Sequence, residues 1–276
     1  MKRRVGMVFG VVALALALAA PAIAQSDGET QKLFADGVAA LKDEKPNEAV
    51  ASFEALADRG VIDPVASYDR GLAYALRVRA NAEQPGDLGR AVHGFEEAIA
   101  LTRDPQLARD AEQAATLVRS EVSRRKAREG VTVDIEQRTS PWRTLTQALP
   151  EDTWAALAIA CSFVLGCALF LRWLASQARA RAGAAIALAV SAPALVLCAA
   201  LARSARSDRL NLREAIVVST GARPSDAHGI VLPQSTPLPE GARVEVLDQS
   251  GGFTEFRWGD LRAWVPGATL RALAKP

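Results

Sequence analysis

Two long apolar stretches interrupt a chain that otherwise mixes apolar and charged residues. They cover residues 153–171 and 182–202, and neither contains a charged side chain. About 20 apolar residues in a helix cross the roughly 30 Å hydrocarbon core of a bilayer. The pattern therefore predicts two transmembrane helices, at 152–174 and 182–203, joined by a short loop at 175–181.

The beginning of the chain has the order of a secretory signal peptide. Basic residues at 2–4 precede an apolar run at 5–20, and the small-residue triplet Ala-Ile-Ala follows at 22–24. This order predicts a signal peptide at 1–24 that is cleaved before Gln25. The alternative is an uncleaved first membrane helix, and in both cases the segment that follows is exported.

The charges beside the apolar stretches give the expected orientation. The segment between the two uncharged stretches carries Arg172, Arg179 and Arg181 and no acidic residue. Short basic loops favour the cytoplasmic side of a membrane. Together with the signal peptide, this predicts a two-pass protein of the bacterial inner (cytoplasmic) membrane whose two soluble domains are both periplasmic.

The segment at 25–129 has helical periodicity and an internal repeat. Gly37 and Gly71 are 34 residues apart in similar frames, Phe-Ala-Asp-Gly and Tyr-Asp-Arg-Gly. The second half of each unit also recurs, as Glu-Ala-Val-Ala-Ser-Phe and then Arg-Ala-Val-His-Gly-Phe. The recurring small and aromatic residues are Gly37, Ala49, Phe53, Gly71, Tyr74, Ala91, Phe95 and Ala98.

These residues resemble the signature of the tetratricopeptide repeat, a 34-residue helical hairpin. The resemblance implies that the small residues let paired helices approach closely and that the phenylalanine fills the space between adjacent hairpins. The second unit departs from the pattern by about eight extra residues near 80–87. A further helical stretch at 106–128 is expected to cap the array, with the basic cluster at 124–128 facing solvent.

Two repeats and one helix fall short of the three or so repeats that usually bury a continuous core. We therefore expect support from a partner protein. In the tetratricopeptide family the concave face of the first helices holds protein segments, which makes Phe34, Leu41, Tyr68 and Leu72 candidates for a protein-binding groove. Alternatively, these four side chains are ordinary core between the helices.

Helical periodicity stops after Gly130, and residues 130–151 are interpreted as a juxtamembrane linker. Trp142 in this linker contacts either the membrane surface or the repeat domain. The sequence does not distinguish these two roles.

The last segment, 211–276, has a period of two, which is typical of short strands. Strands are expected at 215–218, 243–247, 253–257 and 263–265, separated by Gly- and Pro-containing turns. Five or so short strands in about 60 residues indicate a small all-β barrel.

The segments Leu-Pro-Glu-Gly-Ala-Arg-Val-Glu-Val-Leu, Gly-Gly-Phe-Thr-Glu-Phe-Arg-Trp and Arg-Ala-Trp-Val-Pro resemble a bacterial SH3 domain. Phe253 stands where that family usually has Trp, and Ala263 stands where it usually has Gly. These departures weaken the transfer of a ligand groove. Phe253 and Trp258 remain the candidate surface of the barrel, and Trp264 is expected in its core.

No catalytic, cofactor-binding or metal-binding motif is found, so we expect a protein that is not an enzyme. The two histidines, His93 and His228, have no zinc-ligand spacing, and His93 is expected on a helix surface. The 33 basic and 31 acidic residues nearly balance, which gives no reason to expect nucleic acid as a partner. The three cysteines lie in the predicted membrane helices and are interpreted as small apolar residues.

The order of parts resembles the BatE-like proteins of bacterial aerotolerance (Bat) operons. This order is signal peptide, short repeat array, the Asp-Thr-Trp entry at 152–154, a two-helix hairpin and an SH3-like domain that opens with Arg-Glu-Ala-Ile-Val-Val at 213–218. The resemblance implies a stress-linked envelope scaffold. Its expected partners are von Willebrand factor A membrane proteins, linked to a MoxR-type AAA ATPase.

A second hypothesis is a cell-wall sensor. In it the SH3-like domain binds peptidoglycan peptides and the repeats relay the occupancy of that domain. The scaffold hypothesis assigns binding to the helical repeats, whereas the sensor hypothesis assigns it to the barrel.

Overall fold

The computed structural model describes most of the chain after the predicted signal peptide. The described residues are 28–131, 135, 145–146, 148–174, 177–211, 213–233 and 235–274. The predicted signal peptide and Trp142 lie outside them. The chain divides into a first compact unit, formed by the described residues of Met1–Glu136 with those of Glu214–Pro276, and a second unit, Gln137–Arg213.

The first unit begins with five helices. They are α1 (28–42), α2 (Pro46–Asp58), α3 (Pro64–Arg79), α4 (Asp87–Leu101) and α5 (Pro105–Arg128). Proline occupies the first turn of α2, α3 and α5, where its missing N–H breaks no helical hydrogen bond. The Asp63 carboxylate caps α3 by accepting a hydrogen bond from the Ala66 N–H at 2.8 Å.

Glycine–phenylalanine contacts organise the two helical hairpins. A Cβ added at Gly37 would lie 2.8 Å from the Phe53 ring, and a Cβ at Gly71 would lie 2.8 Å from the Phe95 ring. Both rings are fully buried. Each ring therefore packs on the glycine of its own hairpin, α1–α2 or α3–α4. The sequence expectation had placed these rings between adjacent hairpins.

The end of the first unit forms one five-stranded sheet. Its strands are β1 (Arg213–Val217), β2 (Arg243–Ser250), β3 (Phe253–Trp258), β4 (Leu261–Pro266) and β5 (Leu270–Ala272). The order across the sheet is β4-β3-β2-β1-β5, and the pairs β2–β3, β3–β4 and β1–β5 are antiparallel. A fold of helices with a small antiparallel sheet is thus present. Four strands match expected segments, and the fifth, β5, is too short to show a periodic pattern.

The hairpin between β2 and β3 is tight because its two turn residues are glycines. Gly251 and Gly252 have φ values of 58° and 82°, a backbone region that side chains with a Cβ rarely adopt. The register shifts between Val246 and Asp248, which marks a bulge in β2.

The second unit contains two helices that pack against each other, α6 (Glu151–Leu174) and α7 (Ala178–Asn211). Helix α7 starts inside the segment assigned to the loop and continues past residue 203. Its additional turns are rich in Ala and Arg, which favour helix. Pro193 lies within α7.

Both helices of the second unit are long and apolar enough to cross a membrane, over Glu151–Leu174 and Ala178–Ser207. Only 11% and 17% of their most apolar windows are buried by protein. Large side chains such as Phe163 and Ile186 are exposed, which is unlike the core helix of a soluble protein. Near the start of α6 the Trp154 ring is buried and its Nε1–H donates to the Thr146 carbonyl at 3.3 Å.

Candidate functional site at the helix–sheet interface

The four candidate groove residues lie against the core of the helices. The Phe34 ring meets the Phe53 ring edge-on with centroids 6.1 Å apart, and the Tyr68 ring lies 5.5 Å from the Phe95 ring. Leu41 and Leu72 pack on the same core. All four are half-buried, so each contributes to the core and keeps part of its surface accessible.

The remaining signature residues of the repeat are buried. Ala49, Ala91 and Ala98 are fully enclosed. The Tyr74 ring is buried too, and its hydroxyl donates to the Glu54 carboxylate of α2 at 2.9 Å. The signature side chains therefore form the core of the helical layer.

The sheet packs directly on α4 at the helix–sheet interface, where residues of α2, α4 and α5 contact residues 217–218, 240–243 and 271–274. A Cβ added at Gly89 would lie 2.4 Å from the Val217 carbonyl oxygen, and one at Gly86 would lie 2.2 Å from that of Val218. Only glycine permits such an approach of a helix to a strand. This contact was not among the expectations from the sequence.

Apolar side chains continue across the interface. Leu88 of α4 and Val122 of α5 belong to the same buried cluster as the sheet residues Val217 and Phe256. Ile135 joins the same cluster, although it belongs to the segment that was interpreted as a linker. Parts of α4 and α5 therefore share a hydrophobic core with the sheet, and the helical hairpins have a second core of their own.

Ion pairs accompany this shared core. Arg271 of β5 binds Glu54 of α2 through two hydrogen bonds of 2.9 Å. Burial by itself would raise the pKa of Glu54, but the hydrogen bonds and charges of Arg271 and the charge of Arg70 hold this pKa below its usual value. The carboxylate is therefore ionised at neutral pH and connects α2 with the sheet.

His93 lies at the centre of the interface and is fully buried. Its Nε2 lies 3.0 Å from the Ala272 carbonyl oxygen of β5, and its Nδ1 lies 3.3 Å from Arg70 Nη2. A guanidinium can only donate, so Nδ1 accepts and Nε2 carries the proton. Burial lowers the pKa of His93 to about 4, although the hydrogen bond to Ala272 opposes this. The expectation that His93 lies on a helix surface was wrong, because the sheet covers this face of α4.

Two further buried acidic side chains of α4 have arginine partners. Asp87 accepts two hydrogen bonds from Arg77 of α3, at 2.8 and 2.5 Å, and has no exposed surface. Glu96 binds Arg119 of α5 at 2.6 Å and Arg243 of β2 at 3.3 Å. Glu96 therefore links α4, α5 and the sheet.

Glu240 is the exception among these buried carboxylates. It is 7% exposed, and its Oε1 accepts a hydrogen bond from the Gly89 N–H at 2.7 Å. No Lys or Arg in the described part of the chain forms an ion pair with it. Burial, with smaller contributions from Glu83 and Asp87, raises the pKa of Glu240.

The two candidate surface residues of the sheet are both half-buried. A Cβ added at Gly229 would lie 2.8 Å from the Phe253 ring, so this ring packs under the 226–231 loop. Trp258 packs on the sheet core, and its Nε1 is buried without a hydrogen-bond partner among the described protein atoms. Next to Gly229, Ile230 is 67% exposed, a larger exposed fraction than that of the half-buried Phe253 and Trp258.

The described residues contain no group of three or more His, Cys, Asp or Glu side chains that could hold a metal ion. Apart from Glu240, the interface carboxylates described above form ion pairs with arginines. Such an arrangement fixes the relative position of helices and sheet, and its most direct consequence is a rigid surface.

Comparisons of the chain with protein-family models, with curated proteins and with solved structures find no match.

Sequence reasoning missed the polar residues of the interface, but a signal for them exists. Helix α4 and its cap contain three glycines, Gly86, Gly89 and Gly94, and a helix-interior glycine costs about 1 kcal/mol relative to alanine. Such a cost indicates close contact with another backbone. A Cβ at Gly94 would lie 2.7 Å from the Gly71 nitrogen of α3, and Gly86 and Gly89 face β1 and the residue after it.

Proposed function

We propose that this protein is a non-enzymatic, membrane-anchored scaffold of the BatE-like type. In this proposal the helices are tetratricopeptide-like repeats, the sheet is an SH3-like barrel, and both face the periplasm of a bacterium. The two apolar helices anchor the scaffold in the inner membrane.

One observation carries the proposal, namely the joining of helices and sheet into a single compact unit. The shared core and the ion pairs Arg243–Glu96 and Arg271–Glu54, which join the sheet to α4 and α2, restrict their relative movement. A rigid unit connected through the chain to a membrane anchor favours binding between proteins, because a preformed surface avoids the entropic cost of ordering on association.

The proposed binding face includes Phe34, Leu41, Tyr68 and Leu72. Val65 lies one turn before Tyr68 on α3 and is 44% exposed, so apolar surface continues on this face. Partially exposed aromatic and apolar side chains on a preformed scaffold are typical of protein-binding surfaces. The expected partners, von Willebrand factor A membrane proteins with a MoxR-type AAA ATPase, follow from the family resemblance alone.

Photocrosslinking in native membranes tests this proposal. A photoreactive amino acid replaces Val65 in the full-length chain, and a matched variant carries it at Ile230, which is exposed on the sheet side. The scaffold proposal expects crosslinks from position 65 to an integral membrane protein, identified by mass spectrometry. Crosslinks from position 230 to wall peptides, with none from position 65, would contradict the scaffold and favour the cell-wall sensor.

A further inference from the structure

A cavity of about 150 Å³ lies between α4, α5 and two nearby segments, residues 220–221 and 237–240. Its apolar walls include Leu88, Val122 and Leu238. Glu240 lies in the same lining. About 10–15 Å³ of such space holds one water molecule, so the cavity is large enough for several waters or for a narrow side chain.

The other charged groups around the cavity neutralise one another. Arg125 Nη1 lies 2.8 Å from both carboxylate oxygens of Glu83, and Lys126 Nζ lies 2.7 Å from Glu129 Oε2. Among the described charged residues that line the cavity, Glu240 alone forms no ion pair, although the charge of Arg125 acts on it and slightly offsets the rise in its pKa that burial causes.

The lack of an ion pair among the described residues distinguishes Glu240 from the other carboxylates of the interface. The buried carboxylates of Asp87 and Glu96 and the half-buried carboxylates of Glu54 and Glu97 each bind an arginine. A buried carboxylate is costly unless a charge and hydrogen bonds compensate it, and Glu240 has a single backbone N–H. No side chain in the described part of the chain forms an ion pair with Glu240, and the cavity provides space for a cation beside it.

We propose that this cavity binds a primary ammonium group on an apolar stem, with Glu240 as its counterion. The ammonium of a lysine side chain is compact, and its four methylene groups match the walls formed by Leu88, Val122 and Leu238. A divalent metal fits poorly, because calcium takes six to eight oxygen ligands and Glu240 is one carboxylate. The ligand is thus a lysine side chain of a partner polypeptide, and this source rests on the proposed scaffold function.

The test uses the purified full-length protein in detergent and needs no partner. The probe is Nα-acetyl-lysine methylamide, and the control probe is the same compound with its side-chain amine acetylated. Ligand-observed NMR titrations give the dissociation constant of each probe. We expect binding of the ammonium probe, at least tenfold weaker binding of the neutral one, and weaker binding of the ammonium probe as falling pH protonates Glu240.

The decisive variant is Glu240→Gln. Glutamine keeps a carbonyl oxygen for the Gly89 N–H and removes the buried charge, so the unliganded variant is expected to fold at least as well as the wild type. The ammonium probe should bind this variant at least tenfold more weakly. Glu245→Gln is the matched control, because Glu245 pairs with Arg257 on β2–β3 outside the cavity, and it should leave binding unchanged.

Three results would overturn the inference: no binding of the ammonium probe, equal binding of both probes, or unchanged binding to Glu240→Gln. Tighter binding of free 1,5-diaminopentane than of the lysine probe would overturn the polypeptide source. Photocrosslinking at position 65 does not involve the cavity. A failed ammonium site is therefore distinguishable from a failed scaffold.

Discussion

The two helical hairpins of the first unit share a sequence pattern but differ in their surroundings. In α1–α2 and in α3–α4 a phenylalanine of the second helix packs on a glycine of the first. In both hairpins a Cβ added at the glycine would lie 2.8 Å from the phenylalanine ring. Yet Ala51 of α2 is exposed, whereas His93, at the equivalent place in α4, is fully buried. The shared residues build each hairpin. The residues that differ reflect the sheet, which packs along α4, whereas α2 contacts it through Glu54.

The comparison separates two kinds of polar residue. Arg59 near the end of α2 pairs with Glu29 at 3.3 Å, and both side chains are about half exposed, at 46% and 60%. Arg77 of α3 pairs with Asp87 of α4 where the side chains are 7% and 0% exposed. A charge pair of the second kind is costly to break, because the remaining charge stays buried.

The largest expected effect follows from breaking this buried pair. Arg77→Met leaves the fully buried Asp87 without its bidentate partner and should lower the free energy of unfolding by about 3–5 kcal/mol. Arg59→Met, the matched control, removes an exposed pair and should change it by less than about 0.5 kcal/mol. Urea unfolding of the full-length chain in mild detergent, followed by circular dichroism, measures both. Similar losses for the two variants would show that burial does not distinguish the hairpins.

A glycine substitution in α4 should have the next largest effect. Gly89→Ala places a Cβ 2.4 Å from the Val217 carbonyl oxygen, a backbone atom that cannot rotate away. We expect a loss of about 2–3 kcal/mol, because overpacking forces a backbone shift. The control is Asn47→Ala at the equivalent, exposed position of α2, which should be neutral or slightly stabilising. A neutral Gly89→Ala would mean that α4 does not approach β1 this closely.

The comparison also predicts a pH dependence that involves His93. Its pKa is lowered from 6.5 to about 4 in the folded protein, mainly by burial. Below pH 6.5 the His93 imidazole is therefore protonated in the unfolded chain but stays neutral in the folded protein. The free energy of unfolding falls as pH decreases towards 4. Between pH 7 and pH 5 this group should account for about 2 kcal/mol.

The His93→Gln variant isolates this contribution. Burial raises the pKa of Asp69 to about 6, so the contribution of Asp69 to the stability of the folded protein falls as pH increases, opposite to that of His93. Wild type and variant share Asp69, so its contribution cancels in their comparison. The variant's stability should therefore depend less on pH between 7 and 5 than that of the wild type, as measured by urea unfolding at both values. Equal pH dependence of the two proteins would place His93 in solvent rather than under the sheet.

The smallest expected effect concerns a single hydroxyl. Tyr74→Phe removes the hydrogen bond to Glu54 and should cost about 1 kcal/mol, because Arg271 still satisfies this carboxylate. A double-mutant cycle with Arg271→Met measures the coupling between the hydroxyl and the ion pair. A coupling energy of zero would indicate that Glu54 does not link α3 to β5.

The sequence predicted those parts of the fold that depend on local pattern. The repeat spacing of Gly37 and Gly71 predicted the helical hairpins, and uncharged runs of sufficient length predicted the two apolar helices. Alternating residues and glycine turns predicted β2, β3 and β4. These signals are local, since each element needs only its own apolar face or its own turn residues.

The helix–sheet interface could not be predicted in the same way. Glu54 and Arg271 are 217 residues apart along the chain, and an acidic helix residue has the same appearance in sequence whether it faces solvent or a distant arginine. His93 was misassigned for the same reason. The glycines of α4 were the one local sign, and they indicate a close contact without identifying what makes it.

The central claim is that helices and sheet form one cooperative unit. Hydrogen exchange of the full-length chain with the Arg77→Met substitution, read by mass spectrometry, tests this claim most directly. We predict that protection in β1 and β5 falls by the same factor as protection in α4, because the shared core and ion pairs make the elements open together. Wild-type protection in the sheet alongside lost protection in α4 would contradict the claim.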